Sequence, residues 1–220
     1  MAKPMIDPDA LISMFESATA KQGTQLKQVV SQATLAALQG RELTLKNIRG
    51  TLKQVSEAAS LGAAKNVVPG LDAEQLLDSA VDGMDDALLK AVNANRLALQ
   101  QLATQGADLH DKHLKKALDD LDHFEDTLFA ALKKTAAGAG APLAAAWAPV
   151  LEKMQAGGTA TGAQATATIE QLMEQMQGNL RSTRAASMRA AQVMAESYSA
   201  MVSGVLLGMS EAMQGGKAKK

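Results

Sequence analysis

From Met188 to Ala212 the apolar and small residues Met188, Ala191, Ala195, Tyr198, Val202, Val205, Met209 and Ala212 step 3-4-3-4-3-4-3 along the chain. That spacing fits a helix with one continuous stripe and fits no strand, because a strand repeats every second residue. Within it, Ser197–Ser210 carries no charge, and Ala200, Gly204, Gly208 and Ala212 fall four apart as a ridge of minimal side chains. Beside the ridge lies an apolar face of Met194, Tyr198, Met201, Val202, Val205, Leu206 and Met209. Such a face must be covered by the chain's own bundle, by a second copy or by a lipid-like surface. Two interior glycines cost about 1 kcal/mol each relative to alanine, which points to close packing as the reason for them.

The same period recurs upstream. Asp7 is placed to cap a first helix with Pro8 at its first position and Ile6 and Leu11 as a staple; Gly23 weakens that helix and Gly40 is a natural stop. Thr44 can cap a second, basic amphipathic helix with Leu45, Ile48, Leu52, Val55 and Ala59 on one side and Lys46, Arg49 and Lys53 on another. Val67-Val-Pro-Gly70 ends it. Asp72 opens the longest regular stretch, with Leu77, Val81, Met84, Leu88, Ala91, Asn95, Ala98 and Leu102 in heptad-like register. Asn95 on that stripe can fix register or oligomer state. A second seam runs through Leu109, Leu114, Leu118, Leu121, Leu128 and Leu132.

The expected fold is all-α: an elongated bundle of long amphipathic helices with coiled-coil character. Residues 1–70 form net-basic N-terminal helices and 71–135 a long acidic hairpin or coiled-coil segment. Residues 136–164 read as a flexible Gly/Ala/Pro linker holding a short helix around Trp147, broken or centred at Pro149. Residues 165–213 form a long Met-rich helix and 214–220 a disordered basic tail.

Composition narrows the function. Alanine is about a fifth of the chain and aromatics are 2%, so helices with thin contacts are expected over a dense core. Residues 1–70 hold eight Lys/Arg and five Asp/Glu (net +3), 71–135 seven and thirteen (net −6), and 136–220 seven and five (net +2). That division argues against a continuous basic stripe for nucleic acid. Absence of cysteine removes disulfides and thiolate metal sites and fits a reducing, cytoplasmic setting. The N-terminus lacks an apolar signal core, and no uncharged run reaches the ~18–20 residues of a membrane span.

No reaction is legible. There is no Gly-x-Ser-x-Gly elbow, and Gly157-Gly158-Thr-Ala-Thr-Gly162 lacks the Lys-Ser/Thr ending of a phosphate loop. His110, His113 and His123 lie among Asp108, Asp111, Asp119, Asp120, Asp122, Glu125 and Asp126. Two helices each contributing a carboxylate-x-x-His unit could build a dimetal site, but a second such unit is missing and the charges ring the helix. The cluster reads as a solvated face, with no metal, cofactor or catalytic residue assigned.

The Ala- and Gln-rich helices, the Pro142-Leu-Ala-Ala-Ala-Trp-Ala-Pro149 segment and the Lys-Ala-Lys-Lys end resemble phasins, small helical proteins that coat polyhydroxyalkanoate granules in bacteria. The order of segments from Gly83-Met-Asp-Asp-Ala-Leu-Leu-Lys-Ala through Leu114-Lys-Lys-Ala-Leu-Asp-Asp-Leu to Ser203-Gly-Val-Leu-Leu-Gly-Met-Ser also resembles an uncharacterised all-helical family of proteobacterial proteins. The resemblance implies a non-enzymatic coat or adaptor on a hydrophobic granule or lipid surface, without a transmembrane span. Its binding face would be Met194, Tyr198, Met201, Val202, Gly204, Val205, Leu206, Gly208 and Met209, with Trp147 as an auxiliary anchor. The alternative is a homo-oligomeric helical bundle, or a binder of a helical protein partner, that pairs through the Ala200-Gly204-Gly208-Ala212 ridge.

Overall fold

The structure is a computed structural model that describes residues 7–18, 23–38, 44–66, 72–104, 118–180, 198, 201–207 and 209. The described residues are helical, with short breaks and no strand. We number the helices α1 (Pro8–Ser17), α2 (Gly23–Leu38), α3 (Leu45–Lys65), α4 (Ala73–Thr104), α5 (Phe124–Gly138), α6 (Ala141–Gly157), α7 (Ala160–Leu180) and α8 (201–207).

Local chemistry starts several of them. The Asp7 carboxylate accepts from Ala10 N at 3.1 Å, with Pro8 at the position where a missing N–H costs nothing. The Thr44 hydroxyl accepts from Asn47 N at 3.3 Å, and Asp72 Oδ1 from Gln75 N at 2.9 Å. On α4 the heptad positions Leu77, Val81, Met84, Leu88, Ala91, Asn95 and Ala98 are all buried.

Side-chain ties give the order of packing. Lys27 reaches Asp82 and Ser31 reaches Asp86 at the same sequence offset of 55, so α2 and α4 run parallel. Gly83 makes that approach possible: a Cβ there would stand 2.6 Å from the Lys27 carbonyl oxygen. Gly62 on α3 plays the same part against α1, where an added Cβ would meet Phe15 and, at 2.6 Å, the Ile12 carbonyl oxygen. Asn66 then closes α1 by donating to the carbonyls of Phe15 and Ala18 at 2.7 and 3.1 Å. Ser56 and Thr135 join α3 to α5 at 2.7 Å, and Trp147 Nε1 of α6 donates to Ser60 of α3 at 3.0 Å.

The segment 136–164 departs from the expected flexible linker. It is the end of α5, all of α6 and the start of α7, with breaks only around Ala139–Gly140 and Gly158–Thr159. Alanine supplies the helix propensity, and Pro149 sits inside α6 without ending it. Gly158 makes the sharper turn at φ +67°, a left-handed value that suits glycine. The start of α7 is held from a distance: Asp85 of α4 accepts from Ala160 N and Thr161 N at 3.0 and 3.1 Å, and the Thr161 hydroxyl donates to the Asp85 carbonyl at 2.9 Å. The expected tail, 214–220, lies outside the described residues.

One contiguous core joins all eight helices, built mainly from Leu, Ala and Val around Phe15, Phe124 and Trp147. It is unusually rich in hydroxyls: Ser31, Thr34, Thr51, Ser56, Ser60, Thr127, Thr135, Thr161 and Thr168 are all buried in it.

Candidate functional site

The apolar face singled out in the sequence is divided by the structure into an inner and an outer side. Val202 and Leu206 of α8 are buried within the common core. Tyr198, Met201, Val205 and Met209 pack against that core and are partly covered. Gly204 is exposed: among the described residues, a Cβ built on it meets nothing within 4 Å. Leu207, on the same side three residues on, keeps 46% of its surface exposed. Met194, Ala200, Gly208 and Ala212 lie outside the described residues. The helix therefore has a seated apolar side and an outward side carrying Gly204 and Leu207.

Tyr198 sits where α8 meets the segment before α5. Burial raises its phenol above the ordinary tyrosine value, and the Asp120 carboxylate adds to the shift. The ring therefore stays neutral and serves packing. Trp147 is in the core with 0% exposure. The indole expected as an auxiliary anchor lies in the core of the single chain, its N–H satisfied by Ser60.

A polar groove of about 730 Å³ opens between α2 and α4, lined by Thr24, Lys27, Ser31, Ser79, Asp82, Asp86 and Lys90 among others. Its charges are paired within the groove. Asp86 accepts from Ser31 at 2.6 Å and from Lys90 at 2.7 Å, and Lys27 lies 3.5 Å from Asp82. Burial pushes the Asp86 carboxyl up, but the hydrogen bonds from Lys90 and Ser31 and the charges of Lys90 and Lys27 outweigh it and hold the group below its ordinary value. Across α4, Lys153 makes two bonds to Asp78 at 2.8 and 2.7 Å, and these raise its ammonium above the usual lysine value. These groups clip helices together and present no nucleophile beside a base.

The histidine-rich segment lies largely outside the described residues, His110 and His113 included. His123 is half exposed, next to the start of α5, with Nδ1 3.6 Å from Asp126. Among the described residues no group of three or more metal-ligating side chains converges. None of these descriptions involves a membrane span: among the described residues, no helix is long and apolar enough to cross one.

Sequence reasoning missed Ser60 as the partner of Trp147, Asp85 as the cap of α7, and the exposed Leu207. Only Leu207 had a local signal, being one of two adjacent leucines on a helix of which a single stripe can face the core.

Fold and site together define an all-helical protein whose polar groups tie helices to one another. The chain belongs to a family of unknown function, DUF6781, whose model matches residues 1–215. No curated protein and no solved structure matches it.

Proposed function

We propose that this chain is a non-enzymatic coat or adaptor, phasin-like in action, that lays amphipathic helices on a hydrophobic polymer or lipid surface. One observation carries the reading. Among the described residues, each helix turns apolar side chains into one common core, while its backbone is hydrogen-bonded as α-helix. A bundle of this kind can exchange helix neighbours for an apolar surface without breaking its secondary structure, as interfacial helices do. What resists opening is an Ala-rich contact area, worth about 25 cal/mol per Å², and a small set of side-chain ties. The tie between Ser56 and Thr135 spans α3 and α5, the pair whose separation would bare the middle of the core. In α8, Val202 and Leu206 are the residues that would leave the core for the surface, with Tyr198, Met201, Val205 and Met209 following.

A second reading is favoured by Gly204. An exposed glycine with no neighbour above it among the described residues, flanked by an exposed Leu207, fits pairing with a second copy or a helical partner. Co-sedimentation with uncharged hydrophobic particles and analytical ultracentrifugation separate the two. For a coat, Val205→Asp lowers particle binding and Gly204→Leu leaves it intact. For a pairing face, Gly204→Leu dissociates an oligomer. Failure of the wild-type chain to bind particles removes the coat reading.

A further inference from the structure

The bundle has one outward face that the coat reading leaves unused. Every charged residue of α3 is exposed: Lys46, Arg49, Lys53 and Lys65 against Glu57, a net of +3. At 3.6 residues per turn, Arg49, Lys53 and Lys46 fall within about 60° of arc over about 10 Å of helix axis, while Lys65 lies about 100° round from Lys46. Glu57 offsets only Lys53, at 3.6 Å. Among the described residues, no carboxylate lies within ion-pair distance of Lys46, Arg49 or Lys65. The opposite side of the same helix, Ile48, Leu52, Val55 and Ala59, is buried, so the stripe stays outward in the closed bundle. Leu61, 54% exposed and the most exposed large apolar residue described, stands about 60° round from Lys46 on the exposed side of the helix.

We infer that this face of α3 is a docking surface for anionic lipid headgroups. Cations at helical spacing meet phosphates, and a leucine beside them enters the acyl boundary just beneath. A carboxylate-rich helix of a second copy would satisfy the cations but would leave Leu61 against charge. No aromatic side chain on the arc stacks on a base, as single-stranded nucleic acid requires. The inference rests on the surface-coat reading and names its first step: the closed chain is drawn to the surface, stripe down, before any helix leaves the core.

The test is flotation of the full chain with two sets of vesicles, phosphatidylcholine alone and phosphatidylcholine with phosphatidylglycerol. Binding is expected only to the anionic set and is expected to fall steeply with added salt. Each exposed cation near such a surface contributes about fivefold in affinity, so Lys46→Glu, Arg49→Glu and Lys53→Glu together are expected to lower it about 100-fold or more. Leu61→Ser is expected to lower it less and to leave the salt dependence unchanged. Circular dichroism of each variant checks that the fold is kept. Equal binding to both vesicle sets, or undiminished binding by the triple variant, overturns the inference. So does loss of an oligomer in the triple variant without vesicles, which assigns the stripe to a second copy. Uncharged particles separate the two proposals. Particle binding without anionic-vesicle binding removes the stripe and leaves the coat, and the reverse removes the coat and leaves the headgroup surface.

Discussion

Gly62 offers a test in which two ordinary effects pull in opposite directions. In a helix interior, alanine is favoured over glycine by about 1 kcal/mol, so Gly→Ala normally stabilises. At Gly50 that effect acts alone: the residue is exposed on α3 and an added Cβ meets nothing within 4 Å. At Gly62, on the same helix, the added carbon would lie 2.6 Å from the Ile12 carbonyl oxygen and closer still to Phe15 Cβ. Neither neighbour is the flexible end of a side chain, and Phe15 is fully buried, so α1 must shift as a unit. Overpacking of this kind costs about 1–3 kcal/mol. Set against the propensity gain, Gly62→Ala is expected to be net destabilising by about 1 kcal/mol. For a chain of this size, that lowers Tm by about 2–4 °C. Gly50→Ala is expected to raise Tm by a similar amount, and Gly83→Ala, facing the Lys27 carbonyl, to behave like Gly62→Ala. Thermal melts followed by far-UV circular dichroism read all three. If Gly62→Ala melts at or above wild type, the close approach of α1 to α3 is wrong.

Three other outcomes follow from the polar ties between helices. Ser60→Ala leaves the Trp147 indole N–H without its acceptor in the core, which is expected to cost about 1–3 kcal/mol in denaturant unfolding; an unchanged midpoint contradicts the assigned bond. Asp85→Ala removes the acceptor for the first N–H groups of α7 and is expected to cost about 1 kcal/mol, with Asp85→Asn recovering part; equal losses in both would argue against capping. The folded pKa of Asp86 is depressed, so its contribution to stability is present above the ordinary aspartate value of 3.8 and is lost as pH falls through the folded pKa. Acid titration of stability is therefore expected to flatten in Asp86→Asn, and an unchanged acid limb would show that the groove clip contributes nothing.

How far the sequence reaches depends on whether the cause is local. Asp7, Thr44 and Asp72 cap helices three residues ahead of them, and the buried stripe of α4 follows its heptad spacing, Asn95 included. Residues 136–164 were opaque because their order is imposed from elsewhere. Asp85 caps α7 from a position 75 residues earlier, and Ser60 holds Trp147 from 87 residues earlier. Glycine had two meanings that spacing alone does not separate. Gly62 and Gly83 are required by close packing, whereas Gly204, expected on a packed ridge, meets no neighbour among the described residues. The face of α8 could be recognised as apolar, but its division into a seated side and an open side required the position of the other helices.

The central claim is that the closed bundle must part to expose its stripes, and a reversible lock between α3 and α5 tests it most directly. The chain has no cysteine, and the Ser56 and Thr135 hydroxyls lie 2.7 Å apart, so Ser56→Cys with Thr135→Cys places two thiols within bridging reach. Binding of this variant to uncharged hydrophobic polymer particles is measured oxidised and then reduced. The expected result is little binding when the bridge is closed and wild-type binding once it is opened. Equal binding in both states would show that the surface is engaged without the bundle parting, and would contradict the account.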